Sequence, residues 1–347
     1  MLTYAIVVAT RNRLAMLKTS LPLLLEQSRP ADRIIVVDRS DDHEVVREYC
    51  EELASASVIP LEVHYGEAAN LPVQRNQGLA LVHEDVVAFP DDDSFWHPGT
   101  AAELMAVYEA DVHHRYGGVS ATETTHRPGS SSSEVPQAQR SLKDDVRIVH
   151  WRNRIERLLV PQPFNVYGEE RIAELGARAH QDGLEHPLVE TIGGFLMSFR
   201  TDVARGLLFD ALLGSRIGYA THEDKDLGLR VLRSGLLIAA APGAAVFHNV
   251  APGKRAGGFD YGFFHVLNYA YISHKVFPRG SRALRGLRRY LRYKVFLYSL
   301  RRSDKHVRDI HRGASAAFAG LTMIEDAPRE RLADAYEAVC ERHRRVA

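Results

Sequence analysis

Three consecutive carboxylates, Asp91-Asp92-Asp93, follow the apolar run Val86-Val87-Ala88-Phe89 and Pro90. Four apolar residues stopped by a proline read as a short buried strand with the acids at its C-terminal edge. In open α/β sheets that edge is where ligands bind. Three adjacent anions repel one another unless a cation sits among them. Their hard oxygens suit Mg²⁺ or Mn²⁺, ions that usually bridge to phosphate groups. The plainer reading is a solvated acidic turn capping a helix that begins near Pro98, since Asp and Ser are ordinary turn and N-cap residues. A second acidic group, Glu223-Asp224-Lys225-Asp226, opens the run from Thr221 to Gly235. That run reads as a helix with Thr221 as N-cap and Gly235 as its stop. Thr221 and Asp224 then resemble a capping box, and acids in the first turn complement the helix dipole. His248 ends the apolar run Ala244–Phe247. A lone histidine at a strand end is more often structural than a ligand.

The elements around these groups alternate. Tyr4–Ala9 is a continuous β-rich run, as in a strand covered on both faces. A helix over Leu14–Gln27 places Leu17, Leu21, Leu24 and Leu25 on one face. Arg33–Asp38 is a second strand, followed by a helix through Glu44–Ala54 and a third strand, Ile59–Tyr65. Asn70–Leu81 is a loop entering a helix, and the strand at Val86 follows. This order predicts a mostly parallel α/β sheet. Thr10, Arg11, Asp38, Arg75 and Asp91 to Asp93 then stand at strand ends that converge on one crevice.

The fingerprints of two common nucleotide-binding classes are missing. The first strand is followed by Thr10-Arg11-Asn12-Arg13, with no Gly-x-Gly-x-x-Gly, and no Walker loop occurs. Dehydrogenase and P-loop readings fall away. The series Val-Val-Ala-Thr-Arg-Asn-Arg, Ile-Ile-Val-Val-Asp-Arg-Ser, Arg-Asn-Gln-Gly-Leu-Ala and Phe-Pro-Asp-Asp-Asp, in this order and spacing, resembles the donor half of family 2 inverting glycosyltransferases. The resemblance covers about residues 3–250 and implies the GT-A fold, a Rossmann-like mixed, mostly parallel sheet. Here it would carry a helical C-terminal appendage. It implies Thr10, Arg11 and Asp38 around the nucleotide base, Arg75 near the base or diphosphate, and Asp91 at the ribose. Asp93 becomes the metal ligand of a DXD-type motif, and Asp92 shares either role. Gly193-Gly194, before the apolar stretch Phe195–Phe199, would lie under the donor sugar and acceptor. Phe209-Asp210 continues that pattern, although the family's usual glycine pair before it is replaced by Leu207-Leu208. Glu223-Asp224 matches the family's Glu-Asp motif, whose Asp is the catalytic base. His248 would complete the metal site, and an imidazole beside a carboxylate favours Mn²⁺ over Ca²⁺. A helix N-terminus weakens a carboxylate as a base, whereas burial or the neighbours Glu223 and Asp226 would strengthen it again.

The remaining stretches are less legible. Val119–Thr122 reads as a strand, His126–Gly129 with the serines after it as a flexible loop, and Trp151–Val160 as a short basic helix. Leu237–Ala241 and Ala244–Asn249 read as two short strands. Lys254–Gly258 is expected as a loop near the diphosphate. Arg279–Ser303 carries nine Lys/Arg and no acid, with Leu284, Leu287, Leu291, Val295 and Tyr298 at helical spacing. That basic amphipathic helix fits an anionic membrane surface, the catalytic domain or a second subunit. A final helix spans about Arg329–Arg344.

Bulk properties agree with an enzyme of this kind. Lys+Arg and Asp+Glu are both 44 in 347 residues, so no global charge argues for nucleic acid. Two cysteines build no disulfide framework and fit a reducing, cytoplasmic compartment. The start of the chain reads as a strand, not a signal peptide. The expected organisation is a donor half over 1–118, an acceptor half with the base over 119–252, and a helical extension over 253–347. The expected activity is metal-dependent, inverting transfer of a sugar from a nucleoside diphosphate, UDP first, to a hydroxyl of a saccharide, lipid-linked or small-molecule acceptor. Peripheral membrane contact and homo-oligomerisation stay open. The rivals are a sugar nucleotidyltransferase, which would want a Gly-rich loop after the first strand, and a non-catalytic nucleotide-sugar-binding scaffold.

Overall fold

The computed structural model describes residues 1–130, 164, 168–214, 220–249, 257–300 and 305–344. Trp151–Val160 and Lys254–Ala256 lie outside them, as do the serines from 131 on and residues 301–303 of the basic segment. The chain forms two compact units. One comprises Met1–Ser141, Tyr167–Ala211 and Glu223–Pro252; the other comprises Leu142–Val166, Leu212–His222 and Gly253–Ala347.

The first unit is built on one eight-stranded sheet. Strand β1 (Tyr4–Thr10) is buried along its whole length, which its unbroken apolar run requires. It pairs in parallel with β2 (Arg33–Asp38) and β4 (Val86–Ala88), and β2 pairs in parallel with β3 (Leu61–Tyr65). Helices α1 (Leu14–Leu25), α2 (His43–Ser55) and α3 (Leu71–Leu81) make the connections. Leu17, Leu21 and Leu24 form the buried stripe of α1, as their spacing predicts. Asn70 caps α3 by accepting the Val73 N–H, with Pro72 in the first turn, where its missing N–H costs nothing. The α3 backbone lies tight on β1: a Cβ at Gly78 would sit 2.4 Å from Val7 Cγ1.

Beyond β4 the sheet becomes mixed. The full order is β3-β2-β1-β4-β7-β6-β8-β5, with β5 (Ser94–Trp96), β6 (Tyr116–Thr124), β7 (Met197–Arg200) and β8 (Leu237–His248). Helix α4 (Thr100–Ala110) lies between β5 and β6, and α5 (Gly168–Gln181) between β6 and β7. Helix α6 (Thr201–Leu207) follows β7, and α7 (Glu223–Arg233) precedes β8. Two expectations need correction. The two strands expected over Leu237–Asn249 are one, because Pro242 and Gly243 are exposed in a register shift, between Ala240 facing Ser120 and Ala245 facing Thr122. A proline at such an irregularity breaks no ladder bond. The acidic run does not lead straight into a helix either. Ser94–Trp96 first pairs antiparallel with the end of β8.

The second unit is helical: α8 (Gly258–Val276), α9 (Arg282–Ser299), α10 (Lys305–Ala319), α11 (Leu321–Asp326) and α12 (Leu332–Arg344). Helices α8 and α10 cross closely at glycines, and a Cβ at Gly313 would lie 1.8 Å from the Phe259 carbonyl oxygen. Ser281 caps α9 by accepting the Leu284 N–H at 3.3 Å. Among the described residues no helix is long and apolar enough to cross a membrane.

Candidate active site

The site lies in the first unit, at the C-terminal ends of its strands. Asp91 is fixed by a parallel bridge to Ala9, one residue before β1 ends. The pairing of β5 with β8 sets Ser94 opposite His248, and the Asn249 N–H donates to the Asp93 carbonyl at 2.9 Å. That register puts two side chains far apart in sequence next to each other, with His248 Nε2 3.4 Å from Asp93 Oδ1. The imidazole also stacks on Phe195, ring centroids 4.2 Å apart. Asp91, Asp93 and His248 each offer one ligand atom, and these atoms lie within 4.8 Å of one another. Two carboxylate oxygens and an imidazole nitrogen fit Mn²⁺ or Mg²⁺.

Arg13, just before α1, organises the other two acids. Its guanidinium reaches Asp92 Oδ1 at 2.7 Å and Asp93 Oδ2 at 2.6 Å. The Thr10 hydroxyl donates to Asp92 Oδ2 at 2.7 Å. Asp92 is therefore buried scaffolding behind the Asp91–Asp93 pair. Burial pushes its pKa up to about 7, against the pull of Arg13 and Thr10. Burial would also raise Asp93, but the hydrogen bond with His248 and the charge of Arg13 outweigh it and hold the group below the usual range. The imidazole of His248 moves up, because Asp93 outweighs the desolvation that disfavours its cation.

A second corner forms at the start of α7. The helix begins at Glu223, so Thr221 is not its N-cap as the sequence suggested; His222, at φ 68°, stands directly before the first turn. Arg75 joins the two corners. Its guanidinium donates to Asp91 Oδ1 at 2.7 Å and to Glu223 Oε1 at 3.0 Å. The side chain is 1% exposed and lies over the Phe209 ring at 5.4 Å. The next residue, Asn76, exchanges two 2.8 Å hydrogen bonds with the Phe209 backbone and so holds that ring in place. Burial first, then the charge of Asp224, pushes Glu223 up to about 7, against the attraction of Arg75. Asp224 is half-buried and also raised, chiefly by desolvation. Lys225 and a backbone hydrogen bond from Gly194 oppose that shift without cancelling it. Desolvation thus wins over the helix N-terminus. Gly194 sits between the corners: a Cβ there would lie 3.6 Å from Glu223 Oε1, 3.7 Å from Arg75 Nη2 and 3.7 Å from Asp224 Oδ2. Gly193 is half-buried beside it, and its carbonyl accepts the Leu196 N–H in the turn before β7.

The structure brings together Thr10, Arg75, Asp91, Asp92, Asp93, Gly194, Glu223, Asp224 and His248. Arg11 is exposed, 3.9 Å from Asp41. Asp38 has no exposed surface; Ser40 donates to its Oδ1 through N–H and hydroxyl at 3.0 and 2.5 Å, and His43 Nδ1 lies 2.8 Å from Oδ2. Sequence reasoning missed Arg13 and Phe195. Arg13 carried a signal, since it follows the first strand end directly. Phe195 carried none, because only the β5–β8 register brings His248 over it.

Residues 5–156 match the family model described as Glycosyl transferase family 2. Over this stretch, short of half the chain, the sequence is similar to family 2 glycosyltransferases. No curated protein sequence matches the chain. Among solved structures, the chain is similar to residues 1–349 of S. aureus TarS in complex with UDP-GlcNAc, at 15% identity, covering 99% of this chain and 92% of that one with TM-score 0.53. It is also similar to the mannosyltransferase PcManGT from Pyrobaculum calidifontis in complex with GDP-Man and Mn²⁺, at 14% identity, covering 98% and 86% with TM-score 0.52. At such identities the likeness shows the fold, which is the GT-A architecture with a helical C-terminal region expected from the sequence.

Proposed function

We propose that the chain transfers a glycosyl group from a nucleoside diphosphate sugar to a hydroxyl acceptor, with inversion at the anomeric carbon. The observation that carries this reading is the Arg75 bridge. It ties a cation-binding set, Asp91, Asp93 and His248, to a carboxyl pair of raised pKa, Glu223 and Asp224. Inverting transfer needs both: charge stabilisation for a departing diphosphate and a base on the other side of the anomeric carbon. The two similar structures, each holding a nucleotide sugar, support the donor class.

In this reading Asp224 takes the acceptor hydroxyl proton as that oxygen attacks the anomeric carbon. The bond from that carbon to the diphosphate oxygen breaks, and its electron pair leaves with the nucleoside diphosphate. Glu223, held by Arg75, keeps negative charge beside Asp224 and so keeps its proton affinity high. Mn²⁺ or Mg²⁺ held by Asp91, Asp93 and His248 would supply Lewis-acid stabilisation of the leaving diphosphate. Thr10 and Arg13 fix Asp92 and Asp93, so the ligand set is built before a donor arrives. Gly193 and Gly194 leave room for the sugar between the corners. Arg11 is proposed to flank the base, with uridine as the first candidate, and Asp38, its oxygens taken by Ser40 and His43, to shape that edge from behind.

The test is release of nucleoside diphosphate from a panel of UDP-, GDP- and dTDP-sugars with Mn²⁺, Mg²⁺ or EDTA, scored with hydroxyl acceptors. Metal-dependent diphosphate release from one donor supports the reading. Pyrophosphate chemistry in its place points to a nucleotidyltransferase, and binding without turnover points to a scaffold; either result overturns it.

A further inference from the structure

Helix α9 of the second unit has two faces. Gly286, Leu287, Tyr290 and Leu291 are buried. Arg282, Arg285, Arg289 and Arg292 are exposed, and their spacing of three and four residues makes one stripe along the opposite side; Arg285 also donates to the Gly280 carbonyl at 2.7 Å, and the Arg292 guanidinium lies over the Phe318 ring at 5.9 Å. The same stripe continues into Phe296 and Leu300, 55% and 62% exposed. From Arg282 to Leu300 the stripe runs about 27 Å. Arg288, off the stripe, meets Glu325, and it is the one arginine of this helix that pairs with a carboxylate among the described residues.

We propose that this stripe docks the protein on an anionic lipid surface. Arg282, Arg285 and Arg289 set guanidinium groups in a row that complements a plane of phosphates. The apolar pair follows the cations along the same line. That order suits a bilayer interface, where acyl chains lie just beneath the phosphates and an amphipathic helix lies flat. A nucleic acid would use the arginines and leave Phe296 and Leu300 in water. A second copy would present the same positive stripe, and an isologous contact would set like charges against each other. The inference is independent of the transfer reaction proposed above.

The test is flotation of the full chain with phosphatidylcholine vesicles, with and without phosphatidylglycerol. The proposal expects binding only to the anionic vesicles, weakened by salt. Each guanidinium at such a surface is worth about fivefold in apparent affinity, so R282Q/R285Q/R289Q should bind about a hundredfold more weakly. F296S/L300S should also bind more weakly, and its deficit should persist at high salt. Both variants change exposed positions, and circular dichroism checks their helix content. Failure of the wild type to bind, equal binding to both vesicle types, or unchanged binding by the triple variant overturns the proposal. So does tight RNA binding that R282Q/R285Q/R289Q loses and F296S/L300S keeps. Nucleotide binding followed on the same samples keeps this result separate from the fate of the transfer reading.

Discussion

Asp93 and Asp224 are both carboxylates at the ends of secondary-structure elements in one unit, yet their proton affinities move in opposite directions. Asp93 is buried and is held low, because Arg13 and His248 sit on its two oxygens. Asp224 is half-buried at a helix start and is raised, because desolvation exceeds the help it gets from Lys225 and Gly194. Desolvation pushes both carboxyls up, so it does not set the direction by itself. The partners decide. An anion held in its charged form is ready to hold a metal once His248 gives up its proton, and an anion whose desolvation outweighs its partners is ready to take a proton.

The largest way to break this comparison is at the base. Asp224→Asn keeps the shape and removes the proton acceptor, so transfer should fall by about 10²–10⁴-fold, read as diphosphate release at saturating donor. Asp93→Ala should act through the metal instead. Removing a ligand should cost at least about a hundredfold in the Mn²⁺ concentration needed for half-maximal activity, and His248→Ala should shift it the same way. If Asp224→Asn and Asp93→Ala respond alike to added Mn²⁺, the corners do not have separate roles.

Arg75 is where the corners meet, and Arg75→Met leaves Asp91 and Glu223 without their shared cation. Unfolding in urea should show a loss of up to about 3 kcal/mol, since a buried carboxylate is left unpaired. The loss should shrink in acid, where Glu223 can be protonated. The smallest effect is on pH dependence. A carboxyl pair of raised pKa holds a proton at low pH, so the base is lost on acidification. As Asp224, raised beside Glu223, takes up a proton, kcat/KM should fall up to about tenfold per pH unit on acidification and level off once the pair is ionised. Glu223→Gln removes the neighbouring charge and should move that limb to lower pH. A profile flat down to pH 5 would contradict the raised pair.

Much of the donor side was legible in the sequence because it is local. The strand ends at Thr10, Asp38 and Asp91 follow from apolar runs that stop at polar residues, and the Asn70 cap with Pro72 announces α3. What was not legible depends on non-local register. Ser94–Trp96 is too short to read as a strand, yet its pairing with β8 brings His248 to Asp93. The break expected between Ala241 and Ala244 falls on Pro242-Gly243, a pair that occupies a register shift and does not end the strand. Thr221 looked like a cap because hydroxyl and acid stood at capping-box spacing, but the chain enters the left-handed region at His222 and starts the helix later. Arg75 could be singled out by type, but its bond to Glu223 joins residues 148 apart in sequence, and no local pattern encodes it.

The central claim is that one corner binds the metal-bound diphosphate and the other removes a proton. The most direct measurement is calorimetric titration of a nucleoside diphosphate, UDP first and then GDP, into wild type, Asp93→Ala and Asp224→Asn, with Mn²⁺ and with EDTA. The account predicts Mn²⁺-dependent binding to the wild type, the same binding by Asp224→Asn, and loss of the metal dependence in Asp93→Ala. Equal loss of binding in both variants, or Asp93→Ala binding unchanged with Mn²⁺, would contradict it.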